Sequence, residues 1–310
     1  MVEQPIVYYA IQNLDIASGG KYINSCDYLV ADEPIVGFEL HPAFTDDTNI
    51  FDKIYIGAFE ATGINNKLSS VGGGTNTPLT NKTRPQFRTM AQARGTGWQM
   101  ITKQIYDLNI LLMAIEYMSF DTVTSVANGV SDMSNIENVG QTYSLDSNGT
   151  GKRLSSGSAS FTWRWQENIY GNSWKHLDGI NIRSYNWYVK NSNWVDDTST
   201  GYTKCNNVAL NSPDSAYVTR FAYNCNNKWI FMPGKGNSST AGNTIKAYYV
   251  GRSESIWVSC TCGFLFSSAS LGNYMLGWFN MDAHDTVSAQ NDVISSVLCA
   301  RFVEGGTVNE

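Results

Sequence analysis

Phe161–Arg183 reads FTWRWQENIYGNSWKHLDGINIR, a stretch that gathers Trp163, Trp165 and Trp174 with Arg164, Glu167, Asn168 and two glycine turns. Tryptophan brings large apolar area and an indole N–H that needs a partner, so the three are expected in a core seamed with backbone carbonyls. Gly171-Asn172 and Asp178-Gly179 are turn dipeptides, because both residue types tolerate positive φ. Arg164 and Glu167 are spaced closely enough to pair, and an unpaired buried charge there would be costly. The stretch therefore reads as the stiff, aromatic middle of a packed domain.

Outward from it, the pattern is one of short strands and polar loops. Trp187–Val189, Ala216–Val218, Lys228–Phe231, Ala247–Val250, Ile256–Cys262, Met275–Phe279 and Val293–Phe302 are expected strands. One helix is expected over about 98–118, where Ile101, Ile105, Leu108, Leu112 and Ile115 recur at three- and four-residue steps with Lys103, Gln104, Asp107 and Asn109 between them, so that one face packs on a sheet. The Gly-, Asn- and Thr-rich residues 62–85 read as a mobile loop, and Asn128-Gly129 and Asn148-Gly149 as hairpin turns or exposed loops. The fold class is α+β. Residues 1–33 form an N-terminal strand or attachment segment, either donated to a neighbouring subunit or lying at the edge of the same sheet. Residues 34–310 form the principal domain with long loop insertions.

Composition narrows the function. A chain of 310 residues can bury a substantial core, but charged residues are only 15% of it. With a formal net charge of −6 and no basic cluster, nucleic-acid binding is not expected. The apolar run Ile110–Met118 is too short to span a bilayer, and the N-terminus lacks a secretory pattern. Six widely spread cysteines (Cys26, Cys205, Cys225, Cys260, Cys262, Cys299) form no disulfide framework; Cys205 and Cys225 flank a loop and have the option of pairing, with reduced, packed thiols the default.

Catalytic patterns are sparse. His41, His176 and His284 are isolated, and no G-x-S-x-G elbow, Walker loop or dinucleotide fingerprint occurs. Cys260-Thr-Cys262 places two thiols on one face of a strand, a soft pair by its chemistry but also ordinary sheet packing. Asp196-Asp197, Asp282 and Asp285 carry oxygens suited to a hard cation, though adjacent acids in polar loops are usually solvated. The expectation is no enzyme activity, no metal and no cofactor.

The run Arg164-x-x-Glu167-Asn168-x-Tyr-Gly171-Asn-x-Trp174-Lys-x-x-Asp178-Gly179-Ile-Asn-Ile resembles a signature of bacteriophage structural proteins with the C-type-lectin-like fold of formylglycine-generating enzymes, some of whose relatives are tropism proteins diversified by retroelements. His41-Pro-Ala-Phe44, Lys53–Glu60, Arg94–Trp98, Trp229–Gly234, Ala247–Tyr249, Cys262-Gly263, Leu276–Phe279 and Val297–Phe302 match in the same order, from about residue 34 to 303. Trp165 stands where the family commonly has Gly, Phe266 where a Trp often follows, and Ser267–Ser270 replaces the Trp-Asn-Asn-Gly loop of the diversified proteins. These departures put diversification of this chain in doubt. Neither Glu-Pro-Asn nor Gln-Pro-Asp, the sugar-binding tripeptides of true C-type lectins, occurs.

The resemblance implies a non-enzymatic virion protein, at a tail tip, fibre or capsid decoration, assembled in the bacterial cytoplasm and binding a host cell-surface glycan or protein. It also implies contacts with other virion proteins and a homo-oligomer, a trimer being favoured. Ligand-facing positions carried over from the family are Tyr248, Tyr249, Arg252, Trp257, Ser267, Ser268, Ser270, Asn273 and Tyr274. The resemblance leaves two alternatives open, a purely structural virion component and a metal-dependent oxidase related to the formylglycine-generating enzymes, which would use the Cys260 and Cys262 pair.

Overall fold

The computed structural model describes residues 1–73, 75–127, 129–130, 136–142, 160–183, 186–208, 216–237, 249–252, 261–262, 281–283 and 294–303. Among them the chain is α+β and rich in short, mostly antiparallel strands. One sheet brings the two ends of the sequence together, in the order Val2–Pro5, Lys53–Ile56, Leu298–Arg301, Trp98–Met100. Its registers run Val2 opposite Ile56, Cys299 opposite Ile56 and Leu298 opposite Met100. Ile54 and Ile56 face inward while Lys53 and Tyr55 do not, the alternation that fixes strand register when one face is buried. Val2–Pro5 thus lies at the edge of the chain's own sheet. The hairpin Tyr8–Ile16 with Ile23–Ala31 follows, and Val7 and Tyr9 enter the main core.

Two helices are longer than one turn among the described residues: α1 over Arg84–Gln92 and α2 over Lys103–Tyr117. Residues 62–85, expected as a loop, instead hold the hairpin Thr62–Ile64/Lys67–Ser69 and the start of α1. Helix α1 is built from its cap: Thr83 accepts from the Gln86 N–H, Gln86 accepts back from the Thr83 N–H, and Pro85 sits in the first turn. The expected helix 98–118 begins later, because Trp98–Met100 is a strand paired with Leu298–Arg301. Gly97 decides this, at φ +85° with a hypothetical Cβ 2.2 Å from the Arg301 carbonyl oxygen, so the two backbones meet only without a side chain.

Helix α2 is not the half-buried helix that its periodicity predicts. Every residue from Lys103 to Met113 is buried, polar ones included. Each polar side chain has a specific bond: Lys103 Nζ to Asp107 at 2.5 Å, Gln104 to the Lys190 carbonyl at 2.9 Å, and Asn109 to Gln166 at 2.9 Å. Burying unpaired groups would cost several kcal/mol in all, at roughly 1–3 kcal/mol each, so the helix is permitted only by these partners. The same pairing removes the expected strand Lys228–Phe231. The Phe231 N–H donates to Asp107 and its carbonyl accepts from Lys103, which commits that backbone to the helix.

The Phe161–Arg183 stretch is the seam as expected, with three corrections. Trp163 and Trp174 are buried, but Trp165 is 53% exposed on a two-residue turn between Thr162–Trp163 and Gln166–Glu167. Arg164 and Glu167 do not pair: Arg164 reaches Glu116 at 2.9 Å, whereas Glu167 accepts from the Gly140 and Thr142 N–H groups at 2.6 and 2.8 Å. A turn this tight points the two side chains apart. The indole N–H groups of fully buried Trp163 and Trp187 have no partner, a cost of about 1–3 kcal/mol each. Burying ~200 Å² of ring at ~25 cal/mol per Å² outweighs it.

Candidate functional site

The far end of the same stretch organises a buried charge cluster. Gly179 has φ +80° and no room for a Cβ, 2.5 Å from Gln104 Oε1, so the chain turns sharply and leaves Asp178 inside. Helix α1 supplies the countercharges. Arg88 grips Asp178 with two bonds of 2.8 and 2.5 Å, and reaches Asp196 with two more of 2.6 and 2.9 Å. Arg84, buried beside it, donates to Asp196 at 2.6 Å, the Ile180 carbonyl at 2.7 Å and Asn181 at 2.6 Å. Burial pushes the Asp196 carboxyl up, but the two guanidinium groups outweigh it and hold the acid below its ordinary value. Bidentate arginine pairs of this kind fix geometry as well as energy.

The cluster holds a loop. Asp196 belongs to residues 190–202, which Asn181 also ties through the Val195 and Thr198 carbonyls at 2.9 and 2.8 Å. Lys190 bonds the Asn193 carbonyl at 3.0 Å, and the Tyr202 hydroxyl bonds the Val195 backbone. Trp194 is fixed at the loop's tip region by its indole N–H on the Lys190 carbonyl, 2.9 Å away. Its position is therefore set by α1 and the glycine-turn motif together.

Trp194 lines a groove of about 510 Å³ with Trp98, Gln92, Gln99, Asn191 and Asn193. Asp46, Phe51, Arg88 and Arg301 complete its chemistry. Asp46 is satisfied within its own turn, accepting from the Thr48 and Asn49 N–H groups at 2.7 Å each. Arg301 donates Nη1 to the Thr45 carbonyl at 2.9 Å, whereas its Nε and Nη2 have no partner, and neither does Gln99 Nε2. A cleft with flat aromatic walls, side-chain amides and a guanidinium suits a polar organic ligand with apolar faces, the description of a sugar.

Of the carried-over ligand positions only Tyr249 and Arg252 are among the described residues, and neither lines this groove. Tyr248, Trp257, Ser267, Ser268, Ser270, Asn273 and Tyr274 lie outside the described residues, as do His284, Asp285 and Cys260. Tyr249 and Arg252 are the ends of the strand Tyr249–Arg252, which pairs with Ala216–Phe221 and runs parallel to Met281–Ala283. Of the signature residues, Glu167, Asn168, Trp174 and Asp178 are buried and bonded or packed, Gly171 and Gly179 take positive φ, and Arg164 sits on the exposed turn. Asp196, expected as a solvated acid, is the hub of the arginine cluster.

Cys205 and Cys225 are both free, one buried and one exposed. Burial pushes the Cys205 and Cys299 thiols up to about 12, so both are packed, un-ionised groups at neutral pH. His41 is buried, accepts from the Ala43 N–H at 3.2 Å, and is pushed down to about 3 by burial and, secondarily, by Arg301.

The sequence reading missed Trp98, Trp194, Gln99 and Arg301 as neighbours, since about two hundred residues separate the first from the last. The one local signal was the Thr83–Gln86 capping box, which marks α1 and with it the paired arginines. Compared with known proteins, the chain matches no family model and no curated protein.

Proposed function

We propose that this chain is a non-enzymatic bacteriophage virion protein, of a tail tip, fibre or capsid decoration, whose C-type-lectin-like domain binds a host cell-surface glycan or protein and assembles as a homo-oligomer, a trimer being favoured. The ordered set of motifs from His41–Phe44 through Arg164–Gly179 to Val297–Phe302 supports the family, by resemblance. The groove supports the activity: its Trp194 wall is held by the Arg84, Arg88, Asp178 and Asp196 cluster, so little conformational entropy is lost when a ligand stacks on it. Aromatic anchors with amide donors give area and directional bonds without any bond being broken.

The test is binding of the purified protein to a panel of bacterial strains, with competition against adsorption of the parent phage. Binding that blocks adsorption is the expected result, weakened at least tenfold by Trp194→Ala in a variant that keeps its thermal stability. A folded oligomer that neither binds nor competes would move the chain to the virion's structural parts. Stoichiometric Cu(I) uptake lost in Cys260→Ser would overturn the non-enzymatic reading.

A further inference from the structure

Four cationic side chains are buried among the described residues: Arg84, Lys103, Lys175 and Arg301. Three have a carboxylate partner, Arg84 on Asp196 at 2.5 Å, Lys103 on Asp107 at 2.5 Å and Lys175 on Glu60 at 2.9 Å. Arg301 has none, although it is only 5% exposed and stays charged at neutral pH, burial lowering it to about 10. Asp46, which lines the same groove, acts on it only through space without an ion pair, so Arg301 is the exception to how this chain bonds its other buried cations, and such exceptions are costly unless something compensates. Two of its donor nitrogens are unbonded, and the adjacent groove residue Gln99 also has an unbonded amide nitrogen.

We propose that the groove takes an acidic saccharide, a sugar bearing a carboxylate, with the acid on Arg301 and Gln99 and the ring against Trp194. This rests on the receptor-binding reading above and names the class of ligand. Arginine Nε and Nη2 form the side-on fork that matches a carboxylate's two oxygens, and these are the two free nitrogens. Arg88, the other groove arginine, is already neutralised by Asp178 and Asp196. Arg301 Nε and Nη2 are shielded from water, so the acid reaches them by a side-chain movement beside Arg301 that leaves the bonded Trp194 wall in place. With a net charge of −6, the protein does not draw anions from a distance, and selectivity comes from the local fork.

The experiment titrates the full chain by calorimetry with an oligosaccharide of glucuronate and with the equivalent oligosaccharide of glucose. Binding of the acid form at least tenfold tighter is expected, with that preference lost in Arg301→Gln and both affinities lost in Trp194→Ala. If Arg301→Gln does not fold, the acid-to-neutral ratio of the native chain still decides, together with Gln99→Leu, which is expected to lower only the acid affinity. Equal affinity for the two sugars would overturn the inference while sparing the groove as a receptor site. No binding of either sugar by a protein that still adheres to cells would overturn it and move the receptor site elsewhere. Loss of cell adhesion as well would remove the receptor-binding reading itself.

Discussion

Asp196→Asn tests whether the arginine cluster sets the Trp194 wall. The native carboxylate takes Arg84 Nε at 2.6 Å and both Arg88 Nη atoms at 2.6 and 2.9 Å. The amide keeps one acceptor and turns an NH2 group toward a guanidinium. Two charge-assisted bonds are lost, each worth about 1.5–3 kcal/mol, and Arg84 is left buried with Asp178 at 3.9 Å as its nearest acid. Discounting for the 16% exposure of Asp196, the expected loss is about 2–4 kcal/mol in urea unfolding. Hydrogen exchange should rise in residues 190–202 while the middle of α2, held by Phe231 on Asp107 and by Gln166 on Asn109, keeps its protection. A loss below about 1 kcal/mol with unchanged exchange in the loop would refute the claim that this cluster presents Trp194.

Three further outcomes are expected. Gly97→Ala forces a Cβ against the Arg301 carbonyl at a φ of +85°, and should cost more than about 2 kcal/mol; a neutral result by thermal melt would mean the two strands part freely. Trp165→Gly relieves a bulky residue at φ +62° on an exposed turn, so stability should rise by about 1 kcal/mol in denaturant titration, and a fall of that size would contradict the strain. His41 binds its proton in the unfolded chain near 6.5 and in the fold near 3, so its contribution is complete above 6.5 and is lost as pH falls through that window. Between pH 7 and 5 the loss is about 2 kcal/mol, and His41→Asn should flatten that slope; equal slopes would show that His41 is not buried neutral.

The glycine turns, the strand-rich composition and the buried aromatics of Phe161–Arg183 are local properties, written in residue types whose backbone preferences need no partner. Positive φ at Gly171 and Gly179 follows from the dipeptides themselves. The polar positions of α2 went the other way. Lys103, Gln104, Asp107 and Asn109 look solvated in sequence, and only the arrival of Phe231, Lys190 and Gln166 makes their burial affordable. The exposure of Trp165 likewise depends on the hairpin turning away from the core rather than on any preference of tryptophan.

The sequence by itself determined an α+β chain, low in charge, stiffened by one aromatic and glycine-punctuated stretch. Tertiary structure decided where the groove lies, because Trp98, Trp194 and Arg301 are brought together by a sheet that closes the chain's ends and by four charges from α1, Asp178 and Asp196. Periodicity reports which face of an element is apolar, and it carries no information on which distant charge will neutralise a buried one.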